Sequence, residues 1–379
     1  MEKKRIVIVG PAYPYRGGIA DFNERLAYEF QREGHEVNIY TFTLQYPGFL
    51  FPGKTQYATG AAPDQLSIVR KLNSINPFNW IKVGREIRRA HPDMVMIRFW
   101  LPFLAPCLGT VARVIRKDKS IKVVSLLDNV IPHEHRIGDH MFARYMIRSV
   151  GGYVAMSESV LRDAKSFDDT KPFALTPHPL YDNFGPKVSR DEAIGRLGLD
   201  PTYRYILFFG LIRDYKGLDL LLRAFADNRL RGKKVKLIVA GEFYSNAELY
   251  EQLEKDLNLA EHMVWYKEFV PADQVRYFFA AADLVAQPYK SATQSGITQI
   301  AYHFERPMLV TDVGGLAEIV PHGKVGYVTQ PDADDIADAL VDFVDNRSES
   351  DFHDWIMQEK AKYAWSNMTT ALLDVASQL

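Results

Sequence analysis

Short runs of β-branched and other apolar residues recur along the chain, separated by stretches in which apolar positions return every three or four residues. In the first half the runs fall at residues 5–9 (RIVIV), 36–42, 93–97, 122–127 and 152–156. Each is followed by a helical pattern, and that alternation predicts a parallel sheet covered by helices. The pattern restarts at 205–209 (YILFF) and continues through 236–240, 263–266, 283–287 and 308–311, which predicts a second α/β domain. Between the halves, residues 176–189 (TPHPLYDNFGPKVS) are rich in proline and turn formers and lack an amphipathic period, so they read as a linker. The expected domains are 1–183 and 184–350, with the boundary at Asn183. Residues 351–379 carry Trp355, Ile356, Tyr363, Trp365, Met368, Leu372 and Leu373 with no strand to follow, and are expected to form terminal helices packing back on the N-terminal domain.

A length of 379 residues suits two domains, and 47% hydrophobic with 25% charged residues supplies two buried cores. Forty-six Lys and Arg against 47 Asp and Glu give a net charge of -1, without the basic excess of a dedicated nucleic-acid binder. The single Cys107 forms neither an intrachain disulfide nor a cysteine zinc site; its apolar surroundings predict a buried, unreactive thiol, and a reducing, cytoplasmic setting fits. The opening apolar run stops at Gly10-Pro11, short of a signal-peptide core. The uncharged stretch 99–112 contains Pro102 and Pro106 and falls short of the ~20 apolar residues that span a bilayer, so no transmembrane helix is expected.

Candidate chemistry lies in the loops after strands, because open parallel sheets bind ligands beyond the carboxyl ends of their strands. After the first run, Gly17 and Gly18 open a helix carrying Phe22, Leu26, Ala27 and Phe30, and free amides at such a start favour an anion. The spacing is not G-x-G-x-x-G, so a dinucleotide fingerprint is not supported, and a plain tight turn is the competing reading. The run ending at Phe209 leads into Gly210, Arg213, Lys216 and Gly217 ahead of a helix through Leu220, Leu221 and Phe225. An Arg and a Lys there can hold a diphosphate, the first by parallel bonds and the second as a point charge, with solvated surface charges as the alternative. Residues 289–320 add a polar loop, a helix from Gly296, a buried strand and a glycine pair before Glu318.

The segments FFGLIRDYKG (208–217), FVPADQVRYFFAAADLVAQPY (269–289) and VTDVGGLAEIVPHGKVGYV (310–328) together resemble the nucleotide-sugar half of the group 1 glycosyltransferases. RGGIADF (16–22) and LLDNVIPHE (126–134) resemble the acceptor half. The resemblance implies the GT-B fold, two facing Rossmann-like domains with an interdomain cleft. It also implies transfer of a sugar from a nucleotide diphosphate sugar to a hydroxyl acceptor in polysaccharide or lipid-linked glycan synthesis, retaining and metal-independent, with no cofactor beyond the co-substrate. Under it, Arg213 and Lys216 contact the donor diphosphate beside Gly210, Gly17 and Gly18; the amides of Ser295, Gly296 and Ile297 meet phosphate or ribose; Glu318 sits near the nucleotide.

Three departures from the family pattern stand out. The usual E-x7-E pair falls at Ala292 and Ile300, so sugar hydroxyls must be met by other groups such as Thr293, Gln294 or Gln299. Leu211 stands where the commoner motif has Arg, making Arg213 the nearest equivalent. Many members have a histidine aligned with Asp128, whereas this chain offers Asp128 followed by His133 and Glu134, so Asp128 or His133 assists the acceptor. A GT-B epimerase and a non-catalytic nucleotide-sugar-binding homologue are the competing functions.

The cluster His133, Glu134, His135, Asp139, His140 invites a metal reading but lacks a recognised motif. Asp332 and Asp334 have DxD spacing, yet they precede IADALVDFV and read as a helix cap with acidic first turn. The 99–107 stretch with Arg113, Arg116, Lys117, Lys119, Lys122, Arg144 and Arg148 could form an apolar and cationic surface for a lipid-linked acceptor at the inner face of a membrane, with core packing and solvated charge as the alternative.

Overall fold

The computed structural model describes residues 2–47, 56–58, 61–131, 138–182, 184–244, 247–292 and 295–379. The boundary residue Asn183, the candidate residues His133, Thr293 and Gln294, and Glu134 and His135 of the candidate metal cluster lie outside the described residues. The chain forms two compact units, Met1–His178 with Ala364–Leu379, and Pro179–Tyr363.

The first unit runs β1 (Arg5–Val9), α1 (Gly18–Arg32), β2 (Glu36–Leu44), β3 (Ser67–Asn73), α2 (Pro77–Arg89), β4 (Met94–Phe99), α3 (Ala105–Ile115), β5 (Lys122–Leu127), α4 (Asp139–Ser149), β6 (Gly152–Ala155), α5 (Glu158–Phe167) and β7 (Phe173–Leu175). Its seven strands are all parallel, in the order β3-β2-β1-β4-β5-β6-β7. Alternate residues of the central strands serve opposite faces. Ile6, Ile8, Met94, Met96, Val124 and Leu126 pack on the face covered by α1 and the C-terminal helix at Trp365–Ser377, while Val7, Val9, Val95, Ile97 and Val123 pack under α2 to α5. Cys107 is wholly buried and its thiol pKa is pushed up by that burial, as expected for an inert thiol.

The second unit runs α6 (Arg190–Leu197), β8 (Arg204–Phe209), α7 (Leu218–Phe225), β9 (Val235–Ala240), α8 (Ala247–Asp256), β10 (Met263–Tyr266), α9 (Ala272–Ala281), β11 (Leu284–Gln287), α10 (Gly296–His303), β12 (Met308–Thr311), α11 (Leu316–Ile319), β13 (Gly326–Thr329), α12 (Ala333–Asn346) and α13 (Ser350–Ala361). Its six parallel strands are ordered β10-β9-β8-β11-β12-β13. In both sheets the order reverses beside the first strand, between β1 and β4 and between β8 and β11. Those reversals open crevices at the strand carboxyl ends. Asp332 accepts from the backbone N–H groups of Asp334 and Asp335 at 2.9 and 3.3 Å, so the DxD spacing is a cap of α12.

The terminal helices divide rather than acting together. Phe352 and Ile356 of α13 belong to the second core, whereas α14 (Trp365–Ser377) returns to the first unit and buries Met368, Leu372 and Val375 on the α1 side of its sheet. The expectation that all of 351–379 packs on the N-terminal domain therefore holds for α14 alone; the chain changes units between Tyr363 and Ala364. Leu372→Ala is expected to destabilise the first unit by about 2 to 5 kcal/mol through a cavity beneath its sheet. The exposed Asp374→Ala should shift stability by no more than about 0.5 kcal/mol. Urea unfolding of both variants checks this.

Candidate functional site

At the crevice of the second sheet, β8 ends at Phe209 and the chain turns through Gly210 into a single 3-10 turn, Asp214–Lys216, before α7. Gly217 is required there: its φ is +68°, and a Cβ would come 1.9 Å from the Pro288 carbonyl oxygen. The close approach lays the 213–217 loop against the loop after β11. Lys290 ties the two further, its Nζ lying 2.9 Å from Asp219 and 3.3 Å from Asp214.

The consequence falls on Lys216. Its side chain is 8% exposed and, among the described residues, its ammonium has neither an ion pair nor a hydrogen bond. Nζ lies 5.7 Å from the centre of the Tyr289 ring, and a Cβ on Gly210 would sit 3.1 Å from it. Burial, followed by the charge of Arg213, lowers its pKa from 10.5 to about 8. A solvated loop lysine, the competing reading from sequence, would not be buried in this way.

Lys216 lines a cavity of about 320 Å³ with Tyr181, Phe184, Tyr215, Tyr289, Ser295, Gly296, Ile297 and Ile300. The N-terminus of α10 also lines it, and there Ser295 caps the helix by accepting from the Ile297 amide at 3.2 Å. Ser295 Oγ also lies 3.1 Å from the hydroxyl of Tyr289, whose pKa burial pushes up to about 12. A buried cation and a helix N-terminus thus line one aromatic-walled space, which is an arrangement for an anion.

Of the residues singled out from sequence, Lys216, Ser295, Gly296 and Ile297 meet in this cavity, and Gly210 borders it through Ile297. Arg213 stands at the start of the 3-10 turn with its guanidinium stacked 4.1 Å from the Tyr244 ring centre, close enough for its charge to act on Lys216. Gln299 is 7% exposed and its Oε1 has no partner among the described residues, but it does not line the cavity. Glu318 is exposed on α11 and also stands outside the lining.

In the first unit, Gly17 is the N-cap of α1 at φ +113° with no side-chain cap, and space is open around Gly17 and Gly18. Asp128 follows β5 and is held by Arg98, whose Nε and Nη2 donate to its two carboxylate oxygens. Sequence reading missed Arg98, although an arginine inside the apolar run MVMIRF was a visible signal. It also missed the aromatic wall: Tyr181 and Phe184 come from the segment read as a linker. Composition marked that segment as irregular backbone but carried no sign of what its side chains enclose.

The buried ammonium makes a stability prediction. Because the folded pKa is lowered, the unfolded chain binds more protons between about pH 8 and 10.5, and this group's contribution to stability rises with pH across that window. Below pH 8 the full cost of burying the charge is present. Lys216→Met should therefore stabilise the protein by about 3 kcal/mol at pH 7, and the gain should shrink toward zero near pH 10.5. Urea unfolding at several pH values checks it; a pH-independent difference would mean the ammonium is solvated.

Comparison with known proteins bears on the family and the fold. The sequence profile of the family described as "Glycosyl transferases group 1" matches residues 203–346, which supply the cavity lining apart from Tyr181 and Phe184. A protein named D-inositol 3-phosphate glycosyltransferase from Nocardioides sp. is 30% identical over 334 residues, covering 77% of this chain and 70% of that protein. One of the same name from Streptomyces scabiei is 28% identical over 275 residues, covering 68% of this chain and 61% of its own length. Among solved structures, a glycosyltransferase from Rickettsia africae superposes with a TM-score of 0.69 at 15% identity, over 100% of this chain and 99% of that one. Anabaena HepE in complex with UDP gives 0.67 at 14% identity, over 99% of this chain and 100% of that one. Those two likenesses establish the GT-B architecture of paired parallel-sheet domains. On its match to the Nocardioides relative and to the family profile, the chain belongs to the group 1 glycosyltransferases.

Proposed function

We propose that this chain transfers a sugar from a nucleotide diphosphate sugar to a hydroxyl acceptor, with retention and without a divalent metal, in polysaccharide or lipid-linked glycan synthesis. The observation that carries the reading is the unpaired, buried Lys216 ammonium lining one cavity with the α10 N-terminus. As the bond from the sugar to the diphosphate breaks, negative charge grows on the departing oxygen. Lys216, Arg213 and the helix amides are fixed before the reaction and stabilise that charge without reorganisation. The bond to the acceptor oxygen forms, and the hydroxyl proton is released. The names of the inositol phosphate relatives and the UDP bound to the Anabaena neighbour support a nucleotide-sugar donor and a hydroxyl acceptor. Retention rests on the family resemblance alone.

A docking face supports work on a lipid-linked acceptor. In the first unit α3 packs between α2 and α4. Their exposed side carries Lys82, Arg85, Arg89, Arg113, Lys117, Arg144 and Arg148. The nearby acids are occupied: Glu86 pairs with Lys71 at 2.7 Å, Asp118 with His91 at 3.1 Å, and Asp139 is buried. Phe78 and Met141, at 85% and 64% exposure, project from the starts of α2 and α4. Cations with protruding apolar side chains suit the headgroup region of an anionic bilayer.

Arg213→Ala and Lys216→Met should lower turnover about 100- to 1000-fold, with Arg231→Ala as an exposed control near wild type. Activity should persist in EDTA, and loss on chelation with recovery on Mg²⁺ or Mn²⁺ would overturn the metal-free reading. Release of nucleoside diphosphate only with acceptor present separates transfer from epimerisation, and binding without turnover identifies a non-catalytic homologue. Phe78→Asp with Arg144→Glu should weaken sedimentation with phosphatidylglycerol vesicles by roughly tenfold or more at low salt. Equal binding to neutral phosphatidylcholine vesicles would remove the charged docking face.

A further inference from the structure

Arg98 sits where an arginine is expensive. It is the fifth residue of β4, a strand buried along its whole length, and it is 1% exposed. A buried guanidinium needs a paired charge. Asp128 supplies it through a two-pronged contact, Nε to Oδ2 and Nη2 to Oδ1. The Phe22 ring centre lies 3.9 Å from the guanidinium carbon, and a Cβ on Gly10 would come 3.0 Å from the Arg98 Cβ. Nη1 is buried with no partner among the described residues. Stacked, forked and boxed in, the guanidinium cannot swing.

Holding the sheet together does not require this pair. β4 and β5 are already in register from Met94 with Lys122 to Phe99 with Leu127, and the Asp128 N–H donates to the Phe99 carbonyl at 2.9 Å. Two apolar residues would serve the core at least as well. The pair stands at the carboxyl ends of β4 and β5, beside the strand-order reversal of the first sheet, and Asp128 keeps 18% of its side chain open to solvent. A carboxylate oxygen has two lone pairs, and the fork occupies one side of each.

We propose that Arg98 is a positioning residue for Asp128. The fork fixes the carboxylate plane so that its solvent-facing lone pairs accept hydrogen bonds from an acceptor hydroxyl and aim that oxygen for attack. This rests on the glycosyltransferase reading above and adds the element that sets acceptor geometry. Asp128 is the group that touches substrate; Arg98 acts through it. Lysine cannot replace arginine, because a single ammonium keeps the charge and loses the fork.

The test compares wild type with Arg98→Lys, Arg98→Gln and Asp128→Asn. The probes are UDP-, GDP-, ADP- and TDP-sugars, with octyl glycosides and inositol 3-phosphate as acceptors. Transfer, donor hydrolysis by water, nucleoside diphosphate affinity and melting are read in parallel. All three variants should lose about 100-fold in acceptor kcat/KM, while nucleoside diphosphate affinity, which Asp128 does not serve, stays within about threefold of wild type. If Arg98→Gln fails to fold, Arg98→Lys carries the test, because it keeps a cation beside Asp128 and removes only the fork. Lower melting with unchanged transfer per folded molecule would overturn the proposal and leave a structural pair. No transfer by wild type would overturn the parent reading and this one with it.

Discussion

The second unit is arranged around one unsatisfied charge. Folding buries the Lys216 ammonium without a carboxylate, against the ordinary preference for pairing buried cations, and among the described residues the Tyr289 ring 5.7 Å away is all that offsets the cost. The surrounding features serve to hold it there. Gly217 admits the Pro288 carbonyl, Lys290 pairs with Asp214 and Asp219 beside the same turn, and Ser295 caps α10 at the cavity. A charge that its own fold leaves unpaired gains most when an anion pairs with it, so the cost of burying Lys216 favours an anionic ligand.

The first unit shows the complementary solution. Arg98 is as buried as Lys216 but is paired within the fold, and its effect is geometric: it orients the carboxylate of Asp128 rather than waiting for a ligand. Both groups stand at the carboxyl ends of parallel strands next to the reversal of strand order, where neighbouring crossover connections part and leave backbone ends uncovered. The same topological rule thus produces an anion-seeking site in one unit and an acceptor-only carboxylate in the other.

Much of this was legible in the chain, and the gaps have physical causes. Ten strands were expected, and β3, β7 and β13 were missed. All three are edge strands. β3 has the adjacent charges Arg70 and Lys71 in its middle because only part of it is covered, and β7 has three residues, so neither carries the continuous apolar run of a central strand. The candidate site was legible where chemistry is local in sequence: Arg213, Lys216 and Ser295 to Ile297 each lie in a strand-to-helix loop. It was illegible where distant segments converge. Tyr181, Phe184 and Tyr289 become a wall only once the 181–184 segment lies against α10, and the burial of Lys216 depends on a glycine contact with a loop about 70 residues away. The tail was misassigned as a block because α13 and α14 have similar apolar content and are separated only by the short turn after Ala361.

The central claim, that the Lys216 ammonium awaits a diphosphate, is tested most directly by calorimetric titration of UDP, GDP, ADP and TDP in EDTA at pH 8, repeated in two buffers of different ionisation heat. Burial lowers the Lys216 pKa to about 8, so near that pH a diphosphate that pairs with it should draw up a fraction of a proton, and Lys216→Arg should bind without uptake. Binding with no proton uptake in the wild type, or binding unaltered in Lys216→Met, would contradict the account.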